Sequence, residues 1–243
     1  MKNLNRIVVV MLILAIANIS KAMVSPPPFT VGETLTVFAT SGLKLRATPA
    51  SESLVLDIID YGSEVKVLEL DTSNAAFSVE WATGNWVKVE FEGTEGYLFN
   101  GFMSNLPLPE FYVELEPNSY AEMIEYYAFL SFHQSELPDT LESKTSTRVF
   151  DKFEEGHVLV RKDFGKYYET TLKLKDVRIM DAYHLFKAML MESGYLKAFN
   201  THLIFKKDNE GNIYEISDTW GQVIKITKAG EYVKLSAFHK DGC

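Results

Sequence analysis

The sequence predicts a small all-β barrel followed by an α+β domain with a mostly antiparallel sheet and two helices. Three observations carry this. Between residues 34 and 106, short runs alternate apolar and polar side chains and are separated by glycine- or proline-containing turns, the period-2 mark of half-buried strands. At Leu106-Pro107-Leu108-Pro109, alternating prolines suit neither a helix nor a central strand and set a boundary. From 110 to 243, helical and strand spacings alternate, as in an α+β domain. A chain of 243 residues is long enough for two domains of ordinary size.

The N-terminus reads differently from the rest. Lys2 and Arg6 are followed by the apolar run Ile7–Ile19, broken only by Asn18, and then by Ser20-Lys21-Ala22. A basic start, a short apolar core and a small-x-small site define a secretory signal peptide, here residues 1–22. The alternative, a retained anchor, would need ~20 apolar residues to span a bilayer. No cysteine follows the run, so a lipoprotein is not expected. The expected location is periplasmic or secreted, with no stable membrane span after cleavage. Residues 23–33, with Ser25-Pro26-Pro27-Pro28, read as an extended linker.

Loss of Lys2, Arg6 and Lys21 with the leader takes the net charge from −9 to −12. A general phosphate attraction, and with it non-specific nucleic-acid binding, is excluded on that ground. The single cysteine is the terminal Cys243. No internal disulfide can form, and stability must come from the core.

Within the first module, Leu35–Ala39, Leu43–Arg46, Val55–Ile59, Glu64–Glu69, Trp86–Phe91 and Gly96–Phe99 read as strands, few and short enough for a small barrel. The boundary segment leads to Ser119-Tyr120-Ala121-Glu122, a Ser-x-x-Glu capping box. Tyr120, Met123, Ile124, Tyr127 and Leu130 then share a helical face, and Pro138 is expected to stop the helix. Three strands follow, at 148–153, 157–161 and 167–173. A second helix is expected over 177–192, with Gly194 at its left-handed C-terminal position. Four more strands, 202–206, 213–217, 223–227 and 232–237, complete the order α-β-β-β-α-β-β-β-β. No internal repeat is evident.

The opening motif Gly42-Leu43-Lys44-Leu45-Arg46-Ala47-Thr48-Pro49, the turn Tyr61-Gly62-Ser63-Glu64-Val65, the tryptophan strand Asn85-Trp86-Val87-Lys88-Val89 and the closing hairpin Gly93-Thr94-Glu95-Gly96-Tyr97-Leu98 arrive in one order. Together they resemble the bacterial SH3-like (SH3b) domain, over residues 34–106. A long insertion, Asp71–Gly84, departs from the family pattern. The C-terminal domain, 110–243, resembles no family. The SH3-like resemblance implies a binding module directed at cell-wall peptide or glycan, or at an envelope protein, and it implies that Trp86 and Tyr97 partly pack the barrel.

No catalytic constellation stands out. Without an internal cysteine, a papain-like Cys–His pair is impossible. His133, His157, His184, His202 and His239 are scattered. Asp181-x-x-His184 could put two ligands on one helix face but has no HExxH-like companion, so neither a metal nor another cofactor is expected. There is no Gly-x-Ser-x-Gly elbow and no phosphate-binding glycine loop. Aromatic side chains are the better lead, because they offer apolar faces for peptide or sugar. The candidate ligand-binding residues are Phe77 and Trp81 in the insertion, with Trp86 and Tyr97. The expected function is non-catalytic binding in the cell envelope. The rival readings are a cell-wall-directed hydrolase with its active site in 110–243, and a structural or inhibitory partner that offers a sheet edge.

Overall fold

Alternation governs the first module in detail. In the computed structural model, β1 (Thr34–Val37), β2 (Leu43–Arg46), β3 (Val55–Ile59) and β4 (Glu64–Leu70) follow one another, and Leu35, Val37, Leu45, Val65 and Val67 all point inward. The structure describes residues 29–70, 76–80, 82–111, 117, 119–194, 203–208, 213–218 and 224–240. The proposed leader, most of the proposed linker, Trp81 and Cys243 lie outside the described residues. After β4 come β5 (Phe77–Val79), β6 (Ala82–Gly84), β7 (Trp86–Phe91), β8 (Thr94–Phe99), a 3₁₀ turn at Asn100–Phe102 and β9 (Met103–Ser104).

Seven of these strands form one sheet in the order β3-β2-β8-β7-β4-β1-β9, and every pair is antiparallel. Two glycines set its tight points. Gly42 has φ +75, and a Cβ there would lie 2.9 Å from Ile59 O. A Cβ on Gly96 would lie 2.7 Å from Leu45 Cγ and 2.9 Å from Arg46 O, so β2 and β8 approach closely only because the residue is glycine. β5 and β6, inside the 71–84 insertion, pair as a separate hairpin, Phe77 with Gly84 and Val79 with Ala82. Alternation in the sequence marks no strand in this insertion.

The second half is built from α1 (Tyr120–Ser131), β10 (Asp139–Glu142), β11 (Thr147–Lys152), β12 (Val158–Asp163), β13 (Tyr167–Lys175), α2 (Ile179–Glu192), β14 (Leu203–Lys207), β15 (Ile213–Asp218), β16 (Ile224–Ala229) and β17 (Tyr232–Lys240). Ser119 caps α1 as its motif predicts, its hydroxyl accepting from the Glu122 N–H at 3.2 Å. The helix ends at Ser131 rather than at Pro138. Phe132 is already extended (φ −125, ψ 144), because Gln134 bridges to Phe153. Gly194 holds φ +77 just past α2, as expected of a C-terminal left-handed residue.

Four strands, not three, separate the helices. The extra one, β10, pairs with β11 although all its residues are exposed. Its polarity suits an edge and hid it from pattern reading. The eight-stranded antiparallel sheet runs β10-β11-β12-β13-β17-β16-β15-β14. The unit of one helix followed by four strands thus occurs twice, and the last strand of each half, β13 and β17, lies along the seam. This structural repeat has no counterpart visible in the sequence.

Both helices cover one face of that sheet. Met123, Ile124, Tyr127, Leu185, Phe186 and Met189 pack onto Leu172, Leu174, Ile226, Val233 and Leu235. Among the described residues, no helix is long and apolar enough to cross a membrane.

The two halves are packed together, not merely tethered. Phe38, from just after β1, and Leu106 belong to the second half's core, with Tyr61 and Leu108 against it. Each fully buried apolar side chain of this size contributes roughly 1.5–3 kcal/mol. The buried Tyr127 hydroxyl donates to Pro107 O at 3.0 Å, fixing the boundary segment. Phe29, four percent or less exposed like Phe38, joins the first core, and Arg178 lies 4.7 Å over its ring.

Candidate functional site

The β5–β6 hairpin and the 3₁₀ turn face α2, and the meeting is polar as well as apolar. Arg178, the residue before α2, donates from Nη2 to Asn100 O (3.0 Å) and Met103 O (2.6 Å) of the first module. The same nitrogen reaches Asp181 Oδ1 at 2.6 Å, while Asp181 Oδ2 accepts the Arg178 backbone N–H at 2.7 Å. One turn further on, His184 Nε2 lies 2.9 Å from Gly101 O. A carbonyl only accepts, so Nε2 carries the proton. Burial lowers the His184 pKa to about 4, because a charged imidazolium would lose its water; the ring is neutral at physiological pH. Asp181 and His184, adjacent on the helix as their spacing implied, are thus committed to separate partners.

Around this joint runs a row of rings. Trp86 lies 5.3 Å from Phe77, Phe77 lies 4.6 Å from Phe99, and Phe99 lies 5.8 Å from Phe102. Phe102 in turn lies 5.0 Å from the His184 ring. Ala82, Phe99 and Met180 are the buried centre of this cluster. Neighbouring β7 and β8 create the row: Trp86 stands opposite Phe99 in register, so both rings emerge on the same face.

Beside the row is a cleft of about 290 Å³, close to the lower bound of small-ligand sites, ~300 Å³. Its apolar wall is Trp86, Phe99 and Phe102, its end is the 39–43 turn, and Val79-Glu80 of the hairpin and His184 and Lys187 of α2 close the other side. Three cations reach it, Lys44, Arg46 and Lys187, against the single carboxylate of Glu80. Arg46 is held in place by donating to Ser53 O at 2.7 Å, with its guanidinium 6.0 Å from the Trp86 ring centre. In a chain of net charge −9, this is a local reversal of sign. An aromatic wall beside three cations that form no ion pair among the described residues can hold a ligand with a flat or apolar body and a carboxylate.

The sequence-predicted site residues are divided by this geometry. Trp86 lines the cleft. Phe77 stands behind it, half-buried between Trp86 and Phe99. Tyr97, half-buried on β8, pairs in register with Arg46 and Lys88 and does not line the cleft. Trp81 lies outside the described residues. Lys44 and Arg46 were visible in the sequence only as the polar positions of an alternating strand. Lys187 carries no local signal, being far along the chain from the strands it faces.

Neither the curated proteins nor the solved structures contain a match to this chain. The family model of the bacterial SH3 domain does match, over residues 41–104, just over a quarter of the sequence. The segment that runs from the cleft's end turn through β9, and that supplies Arg46 and Trp86, is a bacterial SH3 domain.

Proposed function

We propose that the chain is an exported, non-catalytic cell-envelope binding protein, and that the cleft beside Trp86 takes a carboxylate-bearing cell-wall peptide. The cleft itself carries this reading: an aromatic wall with Lys44, Arg46 and Lys187 on its rim suits a short peptide whose carboxylates meet those cations. The bacterial SH3 segment supports a cell-wall component as the target, and the basic-then-apolar start with Ser20-Lys21-Ala22 supports export to where such a component lies. In this reading the seven-stranded sheet curls into an SH3-like barrel. The site is composite, because α2 of the second half contributes Lys187.

Co-sedimentation of the purified chain with purified peptidoglycan tests it. Retention at moderate salt is expected, reduced by Lys187→Glu without loss of folded structure by circular dichroism. No retention of the wild-type chain would sink the cell-wall reading.

A second reading, an envelope protein as partner, is favoured by β3. This edge strand leaves Leu56 42% and Ile58 53% exposed, and a sheet edge of that kind accepts an added strand. Its Asp57 carboxylate accepts the Ile58 N–H at 2.7 Å, which blunts the edge in part. Capture of an envelope protein that is lost on Ile58→Lys, with no peptidoglycan retention, would favour it.

A further inference from the structure

The face of the eight-stranded sheet turned away from the helices carries a charge pattern that the cleft does not explain. At its flanks, lysines are neutralised: Lys206 and Lys225 share Glu215 at 2.7 and 3.1 Å, and Lys152 has Glu136 and Asp139 at 3.2 and 3.0 Å. At the seam the pattern changes. Lys173 of β13 stands directly opposite Lys234 of β17, a like-charge pairing that destabilises a sheet. Lys162 is paired with Glu169 at 2.6 Å. Arg148, Lys173 and Lys234 have no carboxylate partner among the described residues.

These three cations, together with the Lys162–Glu169 pair, line a hollow of about 220 Å³. Its floor is Thr171 and Ser236, both buried, opposite one another in register and 2.8 Å apart at their hydroxyls. Thr171 Oγ1 donates to Glu169 Oε1 at 3.3 Å, so the hydroxyl pair is bridged by the Ser236 proton. Donors for a ligand therefore come from the ammonium and guanidinium groups around the rim. Phe150 and Val160 supply an apolar side.

We propose that this hollow, on the seam between the two helix-plus-four-strand halves, binds a phosphoryl group carried by a small ligand, held by Arg148, Lys173 and Lys234. Three unneutralised cations exceed what one carboxylate offsets. A phosphoryl group carries about −1.5 to −2 charge at neutral pH with three acceptor oxygens. The net charge of −9 repels long polyanions, which selects a compact ligand whose charge is confined to the hollow. The Lys173 pKa is lowered by burial and by its neighbours Lys234 and Lys162, the state that an incoming dianion relieves. The proposal is independent of the cleft beside Trp86.

Titration with inorganic phosphate, with acetate at matched ionic strength as control, tests it by calorimetry and by thermal shift. Phosphate is expected to bind and to raise the melting temperature, whereas acetate does neither. Lys173→Gln and Lys234→Gln should each weaken phosphate binding about tenfold, the value of one charge-assisted hydrogen bond. The double variant without phosphate should melt no lower than wild type, since a repulsion is removed. Equal responses to phosphate and acetate, or phosphate binding unchanged in both variants, overturn the assignment. So does a wild-type dimer, by light scattering, that the double variant dissolves, because the face then covers the acidic surface of a second copy.

Discussion

Lowering the pH should weaken the joint between the two halves through one residue. His184 is buried against Gly101 O with its Nε2 proton donated there, and burial holds its folded pKa at about 4 against a usual 6.5. As pH falls through 6.5 the unfolded chain takes up a proton that the folded chain refuses. The stabilisation is fully present above 6.5 and is lost progressively down to about 4. At 1.36 kcal/mol per decade the loss is ~3 kcal/mol, a large part of a typical domain's total of roughly 5–15 kcal/mol. His184→Gln supplies the control, since an amide nitrogen can donate to the same carbonyl and does not titrate. Urea unfolding of both proteins at about pH 7.5 and about pH 4.5 isolates the effect, because carboxylate contributions cancel in the difference. Wild type should lose most of that ~3 kcal/mol relative to the variant. Parallel losses in the two proteins would refute the claim that His184 is neutral and buried at the joint.

Other substitutions probe the same joint and the first sheet. Arg178→Gln should cost ~3–5 kcal/mol in urea unfolding, because it strips two carbonyls of a donor and leaves Asp181, 2% exposed, without its cation. Two junction tyrosines should respond differently. Tyr127→Phe removes the hydrogen bond to Pro107 O and should cost ~1 kcal/mol while quickening proteolysis at 107–109. The Tyr61 hydroxyl is buried without a partner among the described residues and its pKa is pushed up to about 12 by that burial; Tyr61→Phe should leave the urea midpoint unchanged or raise it. Gly96→Ala, which drives a methyl into Leu45 and Arg46 O, should lower the melting temperature by an amount equivalent to ~1–3 kcal/mol.

What the sequence revealed depended on how local the cause was. Strands β1, β2, β4 and β7 follow from alternation within the strand itself, β3 and β8 from β-prone residues bounded by turns, and α1 begins where the Ser119 motif places it. Edge strand β10 escaped because its residues face water on both sides and therefore lack a period. The β5–β6 hairpin escaped because its short strands exist by packing against Trp86, Phe99 and α2, partners supplied by other elements. The end of α1 was set by a tertiary bridge, Gln134 to Phe153, and not by the nearest proline. For the candidate site, Trp86 could be singled out from its strand and family motif. The cations could not be grouped, since Lys187 meets Arg46 only through the docking of α2. The seam lysines were invisible for the same reason: Lys173 and Lys234 are ordinary outward positions until β13 and β17 pair.

The composite cleft is tested most directly by calorimetric binding of a soluble cell-wall stem peptide to wild type and to Lys187→Glu. Lys187 lies outside the 41–104 SH3 segment yet reaches the cleft from α2. Wild type should bind, and the charge reversal should weaken binding by about tenfold or more, consistent with loss of a carboxylate contact. Equal affinity in the two proteins would contradict a ligand seated between Trp86 and α2.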